Sequence, residues 1–90
     1  MDAQEIIRRL KLEPHPGGGH YRQTWVEEPA RGRPAGTCIY FLLGPGERSH
    51  WHRVDATEIW HFYAGPPLSL RIAATESGPA EAHTLGPDLA

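Results

Sequence analysis

His50 and His52 flank Trp51 in the segment Ser49–Asp55 (SHWHRVD), and Glu58 follows closely. On a β-strand, residues two apart project from the same face. Both imidazoles then point one way, with Cα atoms about 6.5–7 Å apart, a span two imidazoles can bridge to share one metal ion. Suppose His50–Arg53 and Thr57–Trp60 pair as a hairpin, with Val54, Asp55 and Ala56 as its turn. His52 then lies opposite Glu58, and His50 opposite Trp60, with paired Cβ atoms about 4.5–5.5 Å apart. A two-residue turn would slip the register and send Glu58 to the other face, so the arrangement requires an odd-numbered connection. Two histidines and one carboxylate leave coordination positions open. Such a set suits Fe(II), with Mn, Ni or Zn as rivals, and lets a water or substrate oxygen be polarised. The competing reading is a hydrogen-bonded polar cluster that holds no metal.

The elements that must position these groups are short. Asp2 followed by Glu5 resembles a capping box, and Ile6, Ile7 and Leu10 recur at helical spacing. A short amphipathic helix is expected over Asp2–Lys11, stopped by Pro14 and Pro16. His15–Gly19 (HPGGG) is a turn with a permissive backbone, bracketed by His15 and His20 at what would be a cavity mouth. Tyr21–Val26 reads as a strand, and Glu27–Gly36 as a surface loop rich in Pro, Gly and Arg. Further strands are expected at Thr37–Leu43, Ser49–Val54, Thr57–Tyr63, Leu68–Ala74 and, weakly, Glu81–Leu85. Short strands at this spacing indicate an all-β antiparallel sandwich or barrel, here one domain over residues 1–90 with one N-terminal helix.

Composition narrows the function classes. A 39% hydrophobic and 22% charged chain is globular, and 90 residues make one small domain at most. Nine Lys and Arg are scattered without a basic stripe, and the net charge is −2, so nucleic acid is not an expected partner. The longest apolar run, Ile39–Leu43, is too short to span a bilayer, and Met1–Leu12 lacks the apolar centre of a signal peptide. A cytoplasmic location is the default. Cys38 is the single cysteine, which excludes an internal disulfide or a thiolate zinc cage. Within an apolar run it reads as a small buried residue rather than a nucleophile.

At this point the chain resembles a known family. Gly44, five residues, His50, one residue, His52, five residues, Glu58, six residues and Gly65 resemble the first motif of the cupin superfamily, with a slightly longer His52–Glu58 spacer. SHWHRVDATEIWHFYAG, followed by Pro67-Leu68, looks like a small bacterial and fungal cupin branch of largely unassigned function. Some of its members are labelled predicted sugar epimerases. His15-Pro16, Gly18-Gly19, Tyr21-Arg22 and Thr24-Trp25 belong to the same pattern, as do Ile39–Leu43 and Leu85-Gly86-Pro87-Asp88-Leu89. Gly17 departs from it, standing where the family usually carries Glu. The resemblance implies a cupin-like β-barrel, or jelly roll, lacking the C-terminal strands that follow the Leu-Gly-Pro-Asp segment. It also implies a second motif beyond Ala90 that commonly adds a histidine; His83 does not match that motif and reads as an exposed residue.

Around the trio, Trp60 and Phe62 share the expected face of Glu58, Trp60 as an apolar wall for a ligand ring and Phe62 as core packing. Arg22 could anchor an anion and Tyr40 could donate a hydroxyl, against an ordinary salt bridge and a core hydroxyl as the plainer readings. Trp51, Arg53, His61 and Tyr63 fall on the outer face, where they suit a homodimer contact. An epimerase-type scheme would use neutral His50 or His52 as the base beside a carbonyl and Tyr40 as the acid. One histidine can hardly serve as both ligand and base, so that scheme competes with the metal enzyme. The third possibility is a non-catalytic sensor for a small polar, sugar- or nucleotide-like ligand.

Overall fold

The computed structural model describes residues 2–28 and 32–87. The middle of the Glu27–Gly36 loop and the last two residues of the Leu85–Leu89 segment lie outside the described residues. The chain divides into two compact units, Met1–Arg53 and Val54–Ala90.

The first unit begins with helix α1 (Ala3–Leu10). Asp2 is its N-cap: the backbone is extended there, and the carboxylate accepts the Glu5 N–H at 2.8 Å. Glu5 in the first turn and Arg8 and Arg9 in the last complement the helix dipole, and Glu5 pairs with Arg9 at 2.8 Å. The helix stops before the prolines do their part. Lys11 takes a left-handed conformation (φ 56°), and the Leu12 N–H donates to the Ile7 carbonyl at 2.9 Å. That turn delivers Leu12, 7% exposed, as the one buried apolar residue among those described.

Three antiparallel strands follow in spatial order β1-β2-β3: β1 (Glu13–Pro14), β2 (His20–Val26) and β3 (Thr37–Leu42). His20 pairs with Pro14 and Leu42, Tyr21 with Phe41, Arg22 with Tyr40 and Gln23 with Ile39. A bulge then leaves Thr24 as the extra residue, and its hydroxyl donates to the Cys38 carbonyl at 3.3 Å. Arg22 donates from Nη1 to the Leu10 carbonyl at 3.0 Å, satisfying one of the orphan acceptors at the end of α1. β3 is the last strand of this sheet among the described residues, and Cys38, Ile39 (44%) and Tyr40 (39%) are exposed. The expectation that Cys38 is buried is therefore corrected. An apolar strand hides its residues only where a second layer covers it.

The second unit holds β4 (Leu68–Ala73) and β5 (Ala80–Leu85), paired antiparallel from Leu68–Leu85 to Ala73–Ala80. The connection supplies its own hydrogen bonds: the Thr75 hydroxyl donates to the Gly78 carbonyl at 3.1 Å, and the Gly78 N–H to the Thr75 carbonyl at 3.1 Å. Gly78 has φ +79°, the region a tight connection needs. Leu68 and Leu70 are half-buried and Ser69 and Arg71 exposed, as alternation predicts, but Ile72 is 52% exposed. His83 lies exposed on β5, 3.5 Å from Glu81.

The strands expected at Ser49–Val54 and Thr57–Tyr63 are not formed; residues 43–67 carry no strand. The chain bends at Asp55 and Ala56, where the hairpin turn was expected. Val54, Asp55 and Ala56 offer no glycine or asparagine to take the positive φ of a tight connection, which the β4–β5 turn does have. Trp51 (66%), Val54 (49%), Ile59 (77%) and Tyr63 (81%) are exposed, so pairing has no buried face to gain there.

Candidate functional site

The histidine pair is placed by the glycine turn rather than by a strand. His15 N–H donates to the Gly19 carbonyl at 2.8 Å and Gly18 N–H to the His15 carbonyl at 3.0 Å, closing the HPGGG turn between β1 and β2. The His15 ring is wedged edge-on against Tyr21 (4.9 Å between centroids) and Phe41 (5.5 Å). From the outer side of the turn, the Gly17 carbonyl accepts the His50 N–H at 2.8 Å. Contact there is too close for a side chain. A Cβ on Gly18, which has φ +110°, would lie 2.2 Å from the Arg48 carbonyl oxygen. Upstream, Gly44 N–H donates to Glu47 Oε1 at 2.7 Å and Glu47 N–H to the Gly44 carbonyl at 3.0 Å, fixing the Gly44–Glu47 turn that leads into the motif.

His52 Nδ1 lies 2.9 Å from the His50 carbonyl oxygen. A carbonyl only accepts, so Nδ1 carries the proton and a neutral His52 presents its Nε2 lone pair. That is the state a metal ligand or a general base requires, with the other ring nitrogen held by a backbone carbonyl. Both histidines are solvent-exposed.

The first unit thus brings together His50 and His52, and the second unit carries Glu58, Trp60 and Phe62 in its strandless stretch, Glu58 exposed and both rings half-buried. Among the described residues, no three His, Cys, Asp or Glu side chains converge in a metal-holding group. Arg22 and Tyr40 face each other across the β2–β3 ladder. Arg22 also borders an open depression of about 270 Å³ with Lys11, Glu13, Tyr21 and Gln23, and a second of about 320 Å³ in the other unit is lined by Ile72, Ala74, Gly78, Pro79 and Glu81. Neither is lined by His50, His52 or Glu58. His20 Nδ1 is buried without a hydrogen-bond partner. The docking of the glycine turn on Arg48–His50 escaped the sequence reading; its one visible signal was the glycine triplet beside His15.

This arrangement meets a known family. The family model described as Cupin superfamily (DUF985) matches residues 4–90, and the chain belongs to that family. It is similar to the crystal structure of a protein from Shewanella oneidensis solved as a structural-genomics target, with 40% identity and a TM-score of 0.88. The match covers 99% of this chain and 57% of that one, so this chain spans little more than half its neighbour's length. No curated protein matches. The fold is accordingly cupin-type, mostly antiparallel β with one N-terminal helix, and neither sheet closes on itself among the described residues. No helix among them is long and apolar enough to cross a membrane.

Proposed function

We propose that this chain is a small-molecule-binding cupin that takes a divalent metal (Fe, Mn, Ni or Zn) on His50 and His52, with Glu58 as the carboxylate that the sequence motif offers. The observation that carries this reading is the His52 ring, whose Nδ1 is engaged by the His50 carbonyl so that Nε2 is free to ligate. When bound, the metal would supply Lewis acidity toward a substrate oxygen. Trp60 and Phe62 are the apolar side chains that the same motif offers to a small polar metabolite, sugar- or nucleotide-like. Arg22, which gives one guanidinium N–H to Leu10, is the cation proposed for an anionic group. Exposed Trp51, Ile59 and Tyr63 suit a homodimer contact.

A second reading draws on the same observation. A free Nε2 lone pair is also a base, so His52 could take a proton beside a carbonyl while Tyr40 returns one, without metal. Elemental analysis and calorimetric titration with Mn²⁺, Fe²⁺, Ni²⁺ and Zn²⁺ separate the two. About one equivalent, with affinity lowered at least tenfold in each of His50→Ala, His52→Ala and Glu58→Ala, is expected for the metal centre. Binding of none of the four ions overturns it. Turnover of a sugar-like substrate that survives chelator then supports the epimerase-type reaction, and ligand-induced stabilisation without turnover supports a sensor.

A further inference from the structure

We infer that His15 and the glycine turn it closes are positioning residues for the His50–His52 pair. Three hydrogen bonds, joined through the backbones of Gly17 and His50, connect three histidines. Gly17 N–H donates to His15 Nδ1 at 2.9 Å. The Gly17 carbonyl accepts from His50 N–H at 2.8 Å, and the His50 carbonyl accepts from His52 Nδ1 at 2.9 Å. Each link fixes the next. The Gly17 N–H can only donate, so His15 Nδ1 must be bare and its proton must sit on Nε2. His52 is held in the opposite tautomer, with the proton on Nδ1. The two rings therefore occupy complementary states at the two ends of one chain.

The first link has the form of an Asx-turn, in which a side-chain acceptor captures the N–H two residues on. Here an imidazole nitrogen plays that part. Its ring also packs edge-on against Tyr21 and Phe41, cross-strand partners in β2 and β3, so the acceptor is anchored on that sheet as well as in the turn. Gly18 lets the turn lie flat on Arg48, because any side chain would meet that carbonyl. The consequence is that the backbone of His50, and through it the ring state of His52, is set by a motif far away in sequence. Only the consequence for metal affinity rests on the metal reading; the consequence for backbone and tautomer does not.

The test compares His15→Phe, which keeps an aromatic ring against Tyr21 and Phe41 but loses the acceptor, with His15→Asn, whose Oδ1 can accept the same Gly17 N–H. In the unmutated 90-residue chain, two-bond ¹H–¹⁵N spectra should show His15 protonated on Nε2 and His52 on Nδ1. In His15→Phe, the His50 amide should exchange at least about tenfold faster, and His52 should become a tautomer mixture. Zn²⁺ affinity should fall about 10–100-fold, the usual effect of removing an outer support. His15→Asn should restore all three, and Gly18→Ala should reproduce His15→Phe. A chain with His15 protonated on Nδ1, or a His15→Phe variant with unchanged His50 exchange and His52 tautomer, overturns the inference. Should the unmutated chain bind no Zn²⁺, the metal reading loses that support while exchange and tautomer still decide this one. Should Gly18→Ala fail to fold, the His15 variants and the unmutated spectrum decide it.

Discussion

The two halves of the sequence motif are held in different ways. His50 and His52 lie outside any strand, yet each is tied by a defined hydrogen bond, His50 to the glycine turn and His52 to His50 itself. Residues 54–63, with Glu58, Trp60 and Phe62, also lie outside any strand and carry some of the most exposed apolar side chains described. Within the second unit the contrast repeats: Leu68–Ala73 and Ala80–Leu85 pair around a connection with a positive-φ glycine, and the stretch before them does not pair. Alternation alone does not make a strand. It does so where a turn brings a partner or where a layer offers burial.

The comparison breaks most sharply at the glycines. Gly18→Ala must accommodate both a positive φ and a Cβ 2.2 Å from the Arg48 oxygen, so a loss of about 3 kcal/mol or more is expected in denaturant unfolding. Gly65 has φ +101° with nothing within 4 Å of an added Cβ, so Gly65→Ala should cost only about 1 kcal/mol. Equal losses at the two positions would mean that the turn does not lie against the motif. Next in size, Leu12→Ala removes the buried apolar residue of the first unit and should cost about 2–3 kcal/mol.

How much of this was readable beforehand follows the range of the interactions. Helix α1 was legible almost to the residue, because Asp2, Glu5 and the Ile6–Ile7–Leu10 stripe act within one or two turns. What stops it was not, since a left-handed Lys11, rather than Pro14, ends the helix. Strands β2 and β3 followed from β-branched and aromatic runs bounded by turn residues, β4 from the alternation of Leu68, Leu70 and Ile72, and β5, which has only Thr84 of those residue types, was the weakest signal. The first motif marked His50 and His52 as a pair. The contact that orients them, Gly17 to His50, is non-local and leaves no periodic trace in the sequence. The hairpin proposed for Glu58 relied on alternation without weighing the chemistry of Val54-Asp55-Ala56.

The N-cap lets the local end of the comparison be measured. Asp2→Ala leaves the Glu5 N–H without its acceptor at an exposed helix start, and a loss of about 1 kcal/mol is expected, with helical signal reduced in circular dichroism. Asp2→Asn should retain most of the stability, because the amide oxygen can accept the same bond.

The smallest change is expected at the most exposed apolar side chains. Ile59 and Tyr63 are 77% and 81% exposed, so Ile59→Ser and Tyr63→Ser remove little or no buried area. Exposed substitutions of this kind alter stability by less than about 0.5 kcal/mol. Exposed apolar groups this large still favour contact with another surface, so the double variant should shift sedimentation toward monomer while its unfolding midpoint at low concentration stays put. A loss of about 2 kcal/mol or more at low concentration would instead place both side chains in a packed interior. The exposure that sets the stretch carrying Glu58 apart would then be lost.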